Sequence, residues 1–448
     1  MVETSTADHV TESDGRYQAV NRANVQNTAQ WHRLHPDLRE AIRIVSLVLP
    51  FRTNRYVMDH LIDWERVPDD PMYQLTFSQK GMLASEDYAA ISRLVRDDAP
   101  PQVITAAANR IRFRLNPQPG GQKTHNVPML HGRKLPGLQH KYAETMLFFP
   151  KRGQTCHVYC TYCFRWAQFL GKQDIRFAAT TTDELIAYLR EHPEITDVLI
   201  TGGDPMMMKT PVLAGYIEPL LGVDQINSIR IGTKALATWP HRFLSGEDAD
   251  AALRLFERVV ASGRHLALMS HYSHPVELST GSAQQAVRRV ISTGANIRMQ
   301  SPLARHINDD STVWAGLWRL GVRLGCIPYY MFVVRDTGAH NYFELPLLRT
   351  WEIFQGAYRQ VSGLARTVRG PTMSAFPGKA HIIGIAEISG QKVFVLQYLQ
   401  ARDPRLVRRP FFARFSPTAT WFDQLQPATS ADEAFFPAHP KPPNEPER

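Results

Sequence analysis

The chain has 448 residues, 44% hydrophobic and 21% charged, the balance of a soluble globular protein large enough to bury a sizeable core. No apolar run reaches membrane-spanning length, and residues 1–14 lack the basic-then-apolar pattern of a secretory leader. Four cysteines, three of them clustered, do not make a disulfide framework, so the reading is a cytoplasmic protein. The formal charge of +9 comes from scattered basic residues, densest at Arg402, Arg405, Arg408, Arg409 and Arg414. A solvated surface, or attraction for anionic small molecules such as phosphate-bearing cofactors, accounts for it without nucleic acid.

In chain order, residues 1 to about 30 are polar and read as disordered. Apolar residues then recur at helical spacing over 37–48 and 85–95, predicting a mostly helical N-terminal region that extends to residue 135. Strand-like runs follow at 146–149, 197–201, 228–232, 265–270, 296–301 and 327–334. They alternate with helical stretches at 182–192, 211–221, 248–262, 282–293 and 311–324. Gly263 and Gly294 fall just past helix ends. Six β/α units over residues 136–345 predict an α/β fold with a parallel sheet and right-handed crossovers, a partial (β/α)6 TIM-like barrel. Eight strands would close the ring if later strands complete it. Residues 346–427 read as a C-terminal region, and 428–448, rich in proline, as a flexible tail.

The loop after the first strand reads Cys156-His-Val-Tyr-Cys160-Thr-Tyr-Cys163, a C-x3-C-x2-C spacing. Three thiolates can hold three corners of a [4Fe–4S] cube and leave one iron open to a small molecule. A structural zinc site is the bland alternative, but zinc sites present paired knuckles and no second knuckle exists here. This is the signature of radical S-adenosylmethionine (SAM) enzymes, in which SAM chelates the open iron. The other strand ends carry polar punctuation too: Gly202-Gly203-Asp204, Thr233-Lys234, His271-Tyr-Ser-His274, Gln300-Ser301 and Arg335-Asp336-Thr337. In such barrels chemistry gathers at the C-terminal rim of the strands, so one active site is expected there. Gly202 and Gly203 permit close backbone approach. Cys326 reads as a buried core thiol.

Further stretches make the likeness specific. They include Leu49-Pro-Phe-Arg52, His140-Lys-Tyr142, Phe164-Arg165 after the cysteines and Thr201-Gly-Gly-Asp-Pro205. Others are Ile229-Arg-Ile-Gly-Thr233, Ser270-His-Tyr-Ser-His-Pro275, Gln300-Ser-Pro-Leu303, Ile307-Asn-Asp309 and Ile327-Pro-Tyr-Tyr330. Over residues 45–400 the chain resembles the lysine 2,3-aminomutase family of pyridoxal-phosphate (PLP)-dependent radical SAM enzymes. The resemblance implies an isomerase that converts an α-amino acid to a β-amino acid through a 5′-deoxyadenosyl radical. It also implies a small amino-acid substrate, a flavodoxin- or ferredoxin-type reductant and a homo-oligomer. An enzyme of the same ancestry that abstracts hydrogen without moving nitrogen, an epimerase or dehydrogenase, is the alternative. An aminomutase acting on a protein-bound lysyl group is another.

The resemblance assigns roles residue by residue. Gly202, Gly203 and Asp204 serve SAM or its loop, and His271 and Gln300 bind a cofactor. Lys379, in Ala375-Phe-Pro-Gly-Lys379, holds PLP, and Arg165 binds the substrate carboxylate. Asp309 matches one of two aspartates that receive a distal ammonium; the other reading is that Asn308-Asp309 caps the helix beginning near residue 311. Two departures stand out. The stretch 372–376, where the second aspartate belongs, holds no carboxylate, and Lys141 and Thr145 occupy the places of two phosphate-holding arginines. Lys141 still offers a point charge.

Overall fold

The computed structural model describes residues 15–117, 125–170, 177–179 and 181–436. Its backbone is one sheet of eleven strands. A short pair, β1 (Ala19–Asn21) with β2 (Arg52–Asn54), and a ribbon, β3 (Met129–Leu130) with β4 (Arg133–Lys134), lie outside it. The sheet begins with β5 (Leu138–Tyr142), β6 (Thr145–Phe148), β7 (Asp197–Ile200), β8 (Ser228–Thr233), β9 (His265–His271) and β10 (Asn296–Leu303). It continues with β11 (Ile327–Val333), β12 (Arg369–Ser374), β13 (Gly378–Ile388), β14 (Gln391–Ala401) and β15 (Pro410–Arg414). Spatial order follows chain order throughout.

The expected six parallel strands are β6 to β11, and the five expected crossover helices are Asp183–Glu191, Thr210–Ile217, Glu247–Ala261, Gly281–Ser292 and Ser311–Arg323. A further helix, Leu347–Arg359, leads to β12, which runs parallel to β11 as a seventh strand. The chain then turns back, and β13 to β15 are antiparallel. Eight parallel strands do not form, and among the described residues no hydrogen-bonded pairing joins β5 to β15.

Alternation along each strand sorts the residues. Val198, Ile200, Ile229, Ile231, Ile297 and Met299 are buried against the helices in one continuous core, where Cys326 also lies. Their neighbours Asp197, Arg230, Arg298 and Gln300 therefore belong to the opposite, inner face. Two helix ends are as expected: Gly263 and Gly294 take φ values of 82° and 85°, the left-handed turn that releases a helix.

Two sequence expectations are corrected. Residues 15–30 are ordered: β1 pairs with β2, and Tyr17 packs its ring 5.3 Å from Trp239. Residues 428–436 are also ordered, because the turn Ser430–Phe435 buries Phe435, which stacks 4.6 Å from Phe411. The rest of the expected disordered start and flexible tail lies outside the described residues.

The N-terminal region has its own core, and that core takes in Val158 and Trp166 from the cysteine loop together with Ala304, Ile307 and Val334 from the rim. Its short helix Pro71–Thr76 starts at Asp70, whose buried carboxylate accepts the N–H groups of Met72 (2.9 Å), Tyr73 (2.7 Å) and Asp63 (3.2 Å). Asp70→Ala should cost about 1–2 kcal/mol, the usual worth of such a cap. Thermal unfolding of the two proteins side by side measures it; an unchanged midpoint would show the cap to be idle.

Candidate functional site

The cysteine loop leaves β6 and is gripped from two sides. On the barrel side, Gly203 N–H donates to Gly153 O (3.1 Å) and Asp204 N–H to Thr155 O (2.7 Å). On the other side, Tyr159 N–H donates to Arg52 O (2.9 Å) and Thr161 N–H to Leu75 O (2.9 Å), while Thr161 Oγ1 donates to Gln74 O (2.8 Å). The Arg52 guanidinium adds a bond to Thr155 Oγ1 (2.8 Å). A Cβ on Gly203 would fall 2.4 Å from Thr155 O, and one on Gly202 2.2 Å from the Gln154 side chain. The space those glycines leave is thus filled by the cysteine loop itself.

Cys156, Cys160 and Cys163 are all half-buried and unbridged. Burial pushes each thiol up, Cys163 to about 12, and Asp204 and the companion thiols push Cys156 further. Only a group that replaces those protons with strong positive charge stabilises three thiolates here, as a cationic iron–sulfur cube does. Among the described residues no three His, Cys, Asp or Glu side chains converge as they would on a single metal ion. His157, which sequence reasoning passed over, is buried with its ring 4.9 Å from Trp239 and Nδ1 3.7 Å from Asp204.

Asp204 ties the rim together. It accepts the N–H of Met206 (2.9 Å), Thr233 Oγ1 (2.7 Å) and Lys234 N–H (2.8 Å), joining the loops after β7 and β8. Lys234 pairs with the fully buried Glu277 at 2.5 Å. Tyr162, just before the third cysteine, bonds Ser273 Oγ (2.7 Å), which also receives Ser301 Oγ (3.0 Å). The Gln300 amide donates to His271 Nε2 (3.1 Å), and burial followed by the nearby Lys234 lowers the His271 pKa to about 4, so the ring is neutral. His274 caps its own turn and stands apart from His271 as a hydrogen-bonding partner.

Arg165 is buried and places its guanidinium 4.1 Å over the Phe149 ring. It donates to Gln168, and its Nε has no partner. A buried guanidinium with a spare donor suits a carboxylate. Lys379 is the second residue of β13, opposite Ser374 of β12, and its Nζ lies 4.2 Å from the Tyr330 ring centre. Burial, then Arg230 and Arg369, lower its pKa to about 7. In register, Gln300 neighbours His271 on one side and Tyr330 on the other, so the two halves of the rim are adjacent. Lys141 Nζ donates to Ala375 O, four residues before Lys379.

Asp309 is not drawn into this group. It is half-buried beside His306 and makes no hydrogen bond or ion pair among the described residues. The expected cap is displaced by one residue: Asp310 Oδ1 accepts Thr312 N–H (2.6 Å), while Asn308 is buried and bonds Ser273 O (2.9 Å). Arg335 was visible as rim punctuation and Arg402 as part of a basic cluster, but their arrival beside Lys141 had no linear signal.

Residues 146–223 match the family described as 4Fe-4S single cluster domain. A protein of Aquifex aeolicus (strain VF5) named for L-lysine 2,3-aminomutase is 31% identical over 386 residues, 86% of this chain and 90% of that one. The chain belongs to the lysine 2,3-aminomutase family. L-Lysine 2,3-aminomutase of Bacillus subtilis (strain 168) is 28% identical over 231 residues, 52% of this chain and 46% of its own. Glutamate 2,3-aminomutase of Clostridioides difficile (strain 630) is 27% identical over 210 residues, 47% of each. The chain therefore spans about half the length of those two relatives. Among solved structures, a radical SAM methyltransferase from Sphaerobacter thermophilus is 16% identical with a TM-score of 0.36, covering 64% of this chain and 95% of its own. Family membership makes this a radical SAM protein of aminomutase type, and its three cysteines fit the [4Fe–4S] cluster.

Gly203→Ala tests the grip on the loop. The added carbon collides with backbone, so iron content and iron–sulfur absorbance after reconstitution should fall by more than half while circular dichroism stays unchanged. Full iron occupancy would show that the loop does not need the close approach.

Proposed function

We propose that the protein is a PLP-dependent radical SAM aminomutase that moves the amino group of a small free amino acid from C2 to C3, and that its substrate is not lysine. The observation that carries this is Lys379, an amine sunk over Tyr330 between two arginines on the rim that also holds the cysteines. PLP fits the residues around it: an amine to hold the carbonyl, a flat aromatic face, and cations for an anionic end. Bound there, PLP would supply the π-system across which nitrogen can migrate, and SAM the radical that begins the reaction. A flavodoxin- or ferredoxin-type donor would reduce the cluster.

The chain's own residues divide the work. Arg165 holds the substrate carboxylate close to the cluster, its direction fixed by stacking on Phe149. Tyr330 supports Lys379 from below, and the Gln300–His271 pair fixes the neutral imidazole between the two halves. The Lys379 amine loses its proton near neutral pH because burial removes water and Arg230 of β8 and Arg369 of β12 add positive charge nearby. Asp197, on the same inner face, is spent on Arg230, with Arg230 Nε 2.8 Å from Oδ1. A second ammonium from a lysine substrate would enter this cationic ground without a carboxylate to receive it.

Borohydride reduction of the PLP-treated protein should fix PLP on the peptide containing Lys379, and Lys379→Ala should abolish the adduct. Capture by the wild type should rise through about pH 7 and then level off, since the amine is neutral above its pKa; an unshifted lysine would keep rising to about pH 10. No adduct at any pH would leave hydrogen abstraction without amino migration as the activity.

Deuterium transfer into 5′-deoxyadenosine from a panel of labelled amino acids tests the substrate. Lysine should react at least about tenfold more slowly than the best neutral or acidic amino acid. Lysine as the fastest substrate would overturn the exclusion.

A further inference from the structure

Three cations from separate parts of the chain meet on the strap that precedes Lys379. Arg335, after β11, donates from Nη1 to Ser374 O (2.6 Å). Lys141, on β5, donates to Ala375 O. Arg402, just past β14, donates from Nε to Phe376 O (2.9 Å) and from its backbone N–H to Pro377 O (2.9 Å). Four consecutive carbonyl groups are thus held by cationic residues.

The charge there does not balance. Arg335 Nε has Asp336 Oδ1 at 3.3 Å, but neither Lys141 nor Arg402 has a carboxylate partner among the described residues. Arg402 spends its remaining nitrogens on His125 O and Asn126 Oδ1. Lys141 keeps two N–H groups to spare, and Arg335 keeps Nη2. Tyr142, buried beside Ser374, Arg335 and Arg402, has a hydroxyl that completes no hydrogen bond. Burial, then Arg402, Arg335 and Lys379, hold the Lys141 pKa well below its usual range, a setting that an anion would relieve. Thr145, in the other phosphate-holding position suggested by the family resemblance, is turned to Asp197 Oδ2 at 3.2 Å and cannot serve.

We propose that Lys141, Arg335 and Tyr142 bind the phosphate group of PLP, with Arg402 holding the strap and adding its charge. This rests on the reading that Lys379 carries PLP. Lys141 and Arg335 meet the phosphate oxygens with charge-assisted bonds, and the Tyr142 hydroxyl finds its missing acceptor. Arg402, with its donors already engaged, is a positioning residue that fixes where β13 starts, next to Lys379. Phosphate and strap share the same cations, so cofactor binding and lysine placement are coupled.

The test compares PLP with pyridoxal, which lacks the phosphate, in absorbance titrations of the full-length, cluster-loaded protein. The wild type should prefer PLP by about a hundredfold, and inorganic phosphate should compete with PLP but not with pyridoxal. Arg335→Gln, which keeps a donor for Ser374 O but loses the charge, should cut that preference by about tenfold or more and leave pyridoxal binding unchanged. Arg335→Lys should restore much of it. An unchanged preference in Arg335→Gln, or equal weakening of both ligands, would reduce Arg335 to a clamp and overturn the proposal. If Arg335→Gln does not fold, absence of phosphate competition in the wild type overturns it instead. PLP bound to the wild type no better than pyridoxal sinks the phosphate site alone; binding of neither sinks the PLP reading with it.

Discussion

The loop that carries the three cysteines contains no helix or strand between residues 154 and 165, so its shape depends on backbone groups lent from outside. Gly203 and Asp204 lend N–H groups from the barrel, and Gln74, Leu75 and Arg52 lend carbonyl oxygens from the N-terminal region. A buried backbone group left unpaired costs as much as a lost hydrogen bond, so both grips are needed to hold the loop in this shape. Val158 and Trp166 anchor the same loop in the N-terminal core beside Ala304, Ile307 and Val334. Packing thus joins the cysteine loop to the loops that follow β10 and β11.

Two kinds of buried charge stand on that rim. On the cysteine side, Lys234 and Glu277 neutralise each other, and Glu277 also accepts the His274 N–H at 3.0 Å. That pair is complete without a ligand and serves to hold loops. On the Lys379 side, positive charge exceeds what Asp197 and Asp336 supply. Arg165, stacked on Phe149 with Nε free, is similarly incomplete. Desolvated cations without partners are costly, and anionic groups on ligands relieve the cost.

Much of the fold was legible in the linear pattern. The six parallel strands and five helices fall within a few residues of where apolar periodicity put them, because each helix and strand shows one apolar face to the same core. The seventh parallel strand was not visible, since Arg369-Gly-Pro-Thr372 has neither an apolar run nor clean alternation. The ends were misread for a different reason. Windows of polar composition average away single anchors, yet Tyr17 and Phe435 each secure a polar segment. The cap offered as the second reading of Asn308-Asp309 falls one position later, at Asp310, because carboxylates at 309 and 310 are adjacent and only backbone geometry tells them apart.

The cysteine spacing and the order of polar residues at strand ends were determined by the sequence itself, because ligand spacing within one loop and the rim of a parallel sheet are local or periodic properties. Which cations meet on the strap before Lys379 was decided only by the tertiary structure. Lys141, Arg335 and Arg402 lie far apart in the chain and meet through β5, the end of β11 and the end of β14. Coulombic energy depends on distance through space and on lost water, and neither is written in separation along the chain.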